Sequence, residues 1–142
     1  MNGFLLDTVT LSELRRPELN RPVQAWLERN GSADLYLSVM TIGELQKGIA
    51  RLASGPRRAD LDTWFAQVRA RYADFVLEID TEIAMLWGRL LSPFRPSGRQ
   101  EPTVDALIAA TALVHNLTIV TRNVRDFEEF GVATVNPWEG EP

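Results

Sequence analysis

Residues 103–121 read TVDALIAATALVHNLTIVT. Its first part, Thr103–His115, is apolar almost all round, with Val104, Ala106, Leu107, Ile108, Ala109, Ala110, Ala112, Leu113 and Val114. A helix that is apolar on every side is a buried helix, and its alanines let it approach a sheet closely. Leu117–Thr121 follows at once as a short apolar strand. A buried helix feeding such a strand belongs to a parallel sheet covered on both faces.

The same alternation extends in both directions. Towards the C-terminus, Val132–Val135 reads as a further strand. Towards the N-terminus, Glu82–Leu91 is a helix with Met85, Leu86 and Leu90 turned inward, and Ser92–Pro102, with three prolines and a glycine, is a loop. Phe75–Ile79 is strand-like. Arg58–Tyr72 is an amphipathic helix carrying Leu61, Trp64, Phe65 and Val68 on one face. Thr41–Ala53 is a helix with Ile42, Leu45, Ile49 and Leu52 at three- and four-residue spacing. Leu35–Val39 and Phe4–Asp7 are strands. Thr10–Arg16 and Pro22–Asn30 are short helices, the second with proline in its first turn and Asn30-Gly31 as its stop. Strands alternating with helices predict an α/β fold built on a parallel sheet.

Length and composition fit one domain spanning residues 1–142. Hydrophobic residues make up 45% and charged residues 24%, the balance of a folded globular chain. The absence of cysteine excludes disulfides, zinc–thiolate centres and thiol nucleophiles. No secretory leader and no run approaching the ~20 apolar residues of a membrane span is visible, so a cytoplasmic protein is expected. The net charge of −4 argues against wholesale binding of nucleic acid. Of fifteen basic residues fourteen are arginine, which suits phosphate contacts but follows equally from a GC-rich genome.

On parallel sheets, ligands sit outside the carboxyl ends of the strands. That rule singles out a few polar residues. Asp7 ends the first strand. Glu44 falls in the first turn expected after the second. Asp105 opens the buried helix, and Asn123 and Asp126 follow the strand in TIVTRNVRDF. Two carboxylates ~5 Å apart repel by roughly 3 kcal/mol at an effective dielectric of about 20. A convergent set of them demands protonation or a cation. Oxygen donors without His or Cys select Mg²⁺ or Mn²⁺. Metal-assisted hydrolysis of a phosphodiester is the chemistry such a set supports. Each acid also has a purely structural reading. Thr41-Ile42-Gly43-Glu44 is a capping-box pattern, Asp105 complements a helix dipole, Asp7 could cap a helix and Asp126 could cap a short turn. His115, alone near a helix C-terminus, fits a dipole role. Trp26, Trp64, Trp87 and Trp138 are expected in the core or at an interface. No Gly-rich phosphate loop or Ser-His-Asp arrangement is present.

Four segments in order, FLLDTVTLSELRRP, SVMTIGELQKGI, TVDALIAATALVHNLTIVTRNVRDF and the closing VNPW, resemble the PIN-domain family, in particular its VapC/FitB-type toxins of bacterial toxin–antitoxin pairs. The resemblance spans residues 4–138. It implies a three-layer α/β/α sandwich with a central parallel sheet, and a Mg²⁺- or Mn²⁺-dependent endoribonuclease. Asp7, Glu44 and Asp105 match the family's first three acids, and the fourth position falls on Asn123 or Asp126. Asp7 and Asp105 would then be direct metal ligands, with Glu44 and the fourth position acting through water or a second ion. Thr8 and Thr121 are candidate hydroxyl contacts. The resemblance further implies RNA as substrate, a homodimer, and a cognate antitoxin whose basic tail enters the acidic groove and which carries any contact with DNA. One departure stands out: Val9 occupies a place where relatives commonly carry asparagine. A PIN-like module that only binds a peptide or RNA is the alternative that Val9 favours.

Overall fold

The computed structural model describes residues 3–31, 33–94 and 101–139. Its elements are β1 (Gly3–Leu6), α1 (Thr8–Glu13), α2 (Arg21–Arg29), β2 (Asp34–Ser38), α3 (Val39–Ala50), α4 (Pro56–Arg71), β3 (Val76–Leu77), α5 (Thr81–Leu91), α6 (Thr103–His115), β4 (Thr118–Val120), α7 (Arg125–Glu128) and β5 (Thr134–Val135). Among the described residues the five strands form one sheet in the order β3-β2-β1-β4-β5, and every neighbouring pair is parallel. Leu5 pairs with Tyr36 on one side and with Ile119 on the other, so β1 is the central strand.

Strand alternation sorts the core into two layers. Leu5 and Ile119 point to one face, where Leu91 of α5, Ala106, Ile108, Ala109 and Ala112 of α6, and Phe127 of α7 meet them. Leu6, Leu37 and Val120 point to the other, against Leu11 of α1, Trp26 of α2, Leu45 and Ile49 of α3, and Phe65 and Val68 of α4. This is the expected α/β/α sandwich. The alanines of α6 have no exposed surface at positions 106, 109, 110 and 112, and the helix rests against both α5 and β4.

Several boundaries differ from the sequence reading, each for a local reason. Helix α1 starts at Thr8, not Thr10, because the Asp7 carboxylate accepts the Thr10 N–H and caps it. Helix α3 starts at Val39, not Thr41. Ser38 is both the last residue of β2 and the N-cap, its hydroxyl accepting the Met40 N–H at 3.0 Å. This corrects the capping-box reading: Thr41 lies inside the helix, fully buried, and Glu44 sits one turn deeper than expected. The four-residue helix α7 was not foreseen. Part of the loop expected over Ser92–Pro102, at residues 95–100, lies outside the described residues. The tryptophans do pack. Trp26 meets Phe4 edge-on at 4.9 Å, Trp64 and Trp87 lie against the two core layers, and Trp138 meets Arg122. Among the described residues no helix is long and apolar enough to cross a membrane.

Candidate active site

The chain reverses direction across the sheet between β1 and β4. From β1 it proceeds to β2 and β3 on one side, and from β4 to β5 on the other. A crevice opens at the carboxyl ends of strands at such a switch point. Here it is a pocket of about 130 Å³ lined by Asp7, Thr8, Val9, Glu44, Asp105, Ile108, Thr121, Asn123, Asp126 and Phe127. All five polar residues singled out from the sequence line it. One short segment brings both Asn123 and Asp126 to the pocket. A wider hollow of about 510 Å³ at Pro17, Glu18, Leu19, Arg21 and Gln24 gathers no comparable set of carboxylates.

Each side chain arrives by a different route. Asp7 leaves β1 with its backbone N–H donating to Val120 O at 3.1 Å, which locks it to the end of β4. One carboxylate oxygen accepts the Thr10 N–H at 2.8 Å, while the Thr10 hydroxyl donates to Val120 O at 2.9 Å. Cap and pocket residue are therefore the same carboxylate: one oxygen serves the helix, and the second is the one left for the pocket. Glu44 is held across the site by the Thr8 hydroxyl, which donates to its Oε1 at 2.8 Å. Asp105 lies in the first turn of α6, with Ile108 one turn on beneath it. The Thr121 hydroxyl accepts the Asn123 N–H at 3.0 Å, and the Asn123 carbonyl accepts the Asp126 N–H at 3.0 Å. The loop after β4 is thereby coiled towards the pocket. Thr10, Ile108 and Phe127 were not foreseen as part of the site. Helical spacing from Asp7 and Asp105, and adjacency to Asp126, were the only signals for them.

None of the hydrogen bonds that hold the Asp7 turn, the Leu11 N–H to the Asp7 carbonyl at 3.0 Å included, uses the side chain of residue 9. Val9 is 44% exposed at the pocket mouth. The turn is thus fixed by the backbone and by Thr10, whatever residue 9 carries.

The electrostatics bear the mark of crowded carboxylates. Asp105 is pushed up to about 6, first by burial and then by the negative charges of Asp126, Glu44 and Asp7. Among the described residues, no three acidic, His or Cys side chains close around a common point as a cage would. Hard carboxylate oxygens in an open, negatively charged pocket nevertheless fit Mg²⁺ or Mn²⁺. Mg²⁺ characteristically takes one or two carboxylates and completes its shell with water and substrate phosphate.

The family model for the PIN domain matches residues 4–132. The chain belongs to the PIN-domain family. This PIN domain is 36% identical to toxin FitB of Neisseria gonorrhoeae, over 95% of its own length and 98% of the relative's. It is 35% identical to the VapC ribonuclease Y4jK of Sinorhizobium fredii, over 96% and 98% of the two chains. Among solved structures, a chain in the structure of FitAB bound to an IR36 DNA fragment superposes with a TM-score of 0.83 at 34% identity, covering 98% of both chains. The matched region contains every pocket residue.

Proposed function

We propose that this PIN domain is a metal-dependent endoribonuclease and the toxin of a toxin–antitoxin pair. The observation that carries the reading is the gathering of four acids from four separate segments in one pocket: Asp7, Glu44 and Asp126 follow β1, β2 and β4, while Asp105 opens α6, which follows α5 and not a strand, and their crowding raises the Asp105 carboxyl. Such repulsion is tolerated where a cation offsets it in the working state. The likeness to a VapC ribonuclease and to toxin FitB supports the choice of RNA over other phosphodiesters.

Asp7 and Asp105 would hold the ion. Asp7 offers the oxygen not engaged by the Thr10 N–H, and Asp105 gives up its proton as the ion is taken up. When bound, Mg²⁺ or Mn²⁺ supplies an activated water and offsets charge on the phosphoryl oxygens. Glu44, oriented by the Thr8 hydroxyl, and Asp126 with Asn123 on the opposite wall orient water around the reacting phosphate. Thr121 shapes that wall through its bond to the Asn123 N–H. Ile108 and Phe127 form the apolar floor.

An acidic pocket on a chain of net charge −4 suits a basic antitoxin tail. The likeness to a chain of FitAB bound to a DNA fragment supports an assembly with a partner and DNA; in this reading the antitoxin makes the DNA contact and the toxin is a homodimer. The alternative, a non-enzymatic binding module, rested on Val9, and its force is reduced by a turn that is held without residue 9.

The test compares wild type with Asp7→Asn and Asp105→Asn on structured RNA, with Mn²⁺ or Mg²⁺ and with a chelator. Cleavage should require the metal and both carboxylates. Absent cleavage, or cleavage that survives the substitutions and the chelator, rejects this assignment.

A further inference from the structure

An acidic pocket and a polyanionic substrate repel each other everywhere except at the ion. A chain that works on RNA therefore gains from a fixed cation beside the pocket. We propose that Arg122, stacked on the indole of Trp138 in the segment that joins two pocket-lining residues, grips an RNA phosphate neighbouring the one that is cut. The proposal deepens the ribonuclease reading and rests on it.

Arg122 stands between two pocket-lining residues, Thr121 and Asn123. It is exposed, and its guanidinium lies 5.4 Å from the centre of the Trp138 ring. Among the described residues it forms no ion pair with a carboxylate. A guanidinium stacked on a ring keeps its edge N–H groups available, and those match a phosphate in a planar, two-pronged fashion.

The surroundings hold this pair in place. Asn136 donates its side-chain N–H to the Arg122 backbone carbonyl at 3.3 Å, and its side-chain oxygen accepts the Trp138 backbone N–H at 2.9 Å, so it ties the two backbones together. One asparagine thus bridges the two partners of the stack. The Thr121 N–H donates to Val135 O at 3.0 Å, which ties the same loop to β5. In this proposal the closing VNPW segment supports the arginine that stands between Thr121 and Asn123. Arg125, exposed on α7, has no comparable support.

Cleavage kinetics on single-stranded RNA with Mn²⁺ test the assignment, using wild type, Arg122→Gln, Arg122→Lys and the remote Arg57→Gln on α4. Arg122→Gln should raise KM roughly five- to tenfold near 0.1 M salt and leave kcat within about twofold. It should also make the slope of log kcat/KM against log salt shallower by about 0.7, the value for one phosphate contact on a single strand. Arg122→Lys should restore the slope but only part of the affinity, because a point charge lacks the planar fork. Arg57→Gln should change neither. Unchanged KM and slope in Arg122→Gln overturn the proposal and leave the nuclease intact. So does a fall in kcat alone, which would mean that Arg122 merely shapes the Asn123 loop. A wild-type protein that cuts no RNA overturns the ribonuclease reading, and this proposal with it.

Discussion

The two walls of the pocket are built to different standards. On the β1 side, Asp7 is only 9% exposed and its turn is pinned by four hydrogen bonds, two of them to the end of β4. On the β4 side, Asn123 and Asp126 are exposed, and their positions rest on backbone bonds within a short coil. The contrast separates two tasks. Under the proposed function, the carboxylate that would meet an ion at fixed geometry is placed on a firmly bonded strand exit, and the groups that would meet water and substrate sit on the more exposed wall.

Substitution should break the comparison first at the level of activity. Asp7→Asn and Asp105→Asn are expected to lower cleavage by roughly 100- to 1,000-fold, the scale for removing a charge that stabilises the transition state. Asn123→Ala and Asp126→Asn should cost about 10- to 100-fold, as for groups acting through water. Equal losses on both walls, measured as initial rates at saturating Mn²⁺, would contradict the division of tasks.

Thr10→Val probes the rigid wall without touching a carboxylate. Thr10 is 1% exposed, and its hydroxyl is a buried tie to Val120 O. Losing it should cost about 1–2 kcal/mol in urea unfolding, since the carbonyl loses a buried partner. A loss of activity larger than the loss of stability explains would show that the tie positions Asp7.

Asp105 supplies a pH test. Its folded value of about 6 lies above the ordinary carboxylate range. Between about pH 4 and 6 the folded chain therefore binds the extra proton, and the stability of the metal-free protein falls as pH rises through that window. Because the group is half-exposed, solvent screening limits the effect to about 1 kcal/mol. Asp105→Asn should accordingly raise the melting temperature of the metal-free protein by a few degrees at pH 8 and leave it almost unchanged near pH 4. Added Mg²⁺ should stabilise only the wild type, and more so at higher pH. A wild-type melting temperature independent of pH across this range would remove the case for crowded carboxylates.

The smallest effect is expected at the pocket mouth. Val9→Asn should change cleavage by less than about threefold, because residue 9 holds none of the bonds that fix the Asp7 turn. A large gain would instead mark Val9 as a genuine weakening of the site.

Much of this was legible in the sequence because the signals are periodic. The all-round apolar α6, the short strands and the three- and four-residue spacing of α3 follow from burial, which leaves its pattern in residue order. Asp7 was legible for the same reason, since the end of β1 can be read, whereas Asp105 enters the pocket from a helix that follows another helix and Glu44 from a turn deeper in α3 than its sequence pattern suggests. Thr41-Ile42-Gly43-Glu44 misled because a capping box is a local pattern, and the stronger local competitor was Ser38, set at the cap by the end of β2. The helix α7 was invisible, being too short to show a period.

Composition and order determined the α/β class, the parallel sheet and the candidate acids. Only the tertiary structure decided that Asp7 is cap and pocket residue at once. It alone placed Asn123 and Asp126 on one wall, bound Thr8 to Glu44 across 36 residues of chain, and laid Arg122 on Trp138. The Thr8–Glu44 bond and the Arg122–Trp138 stack join segments far apart in the chain, which the parallel pairing of neighbouring strands brings together, and no local pattern records such a distance. The Asp7 cap and the Asn123–Asp126 segment are local, but that both face one pocket follows from the pairing of β1 with β4.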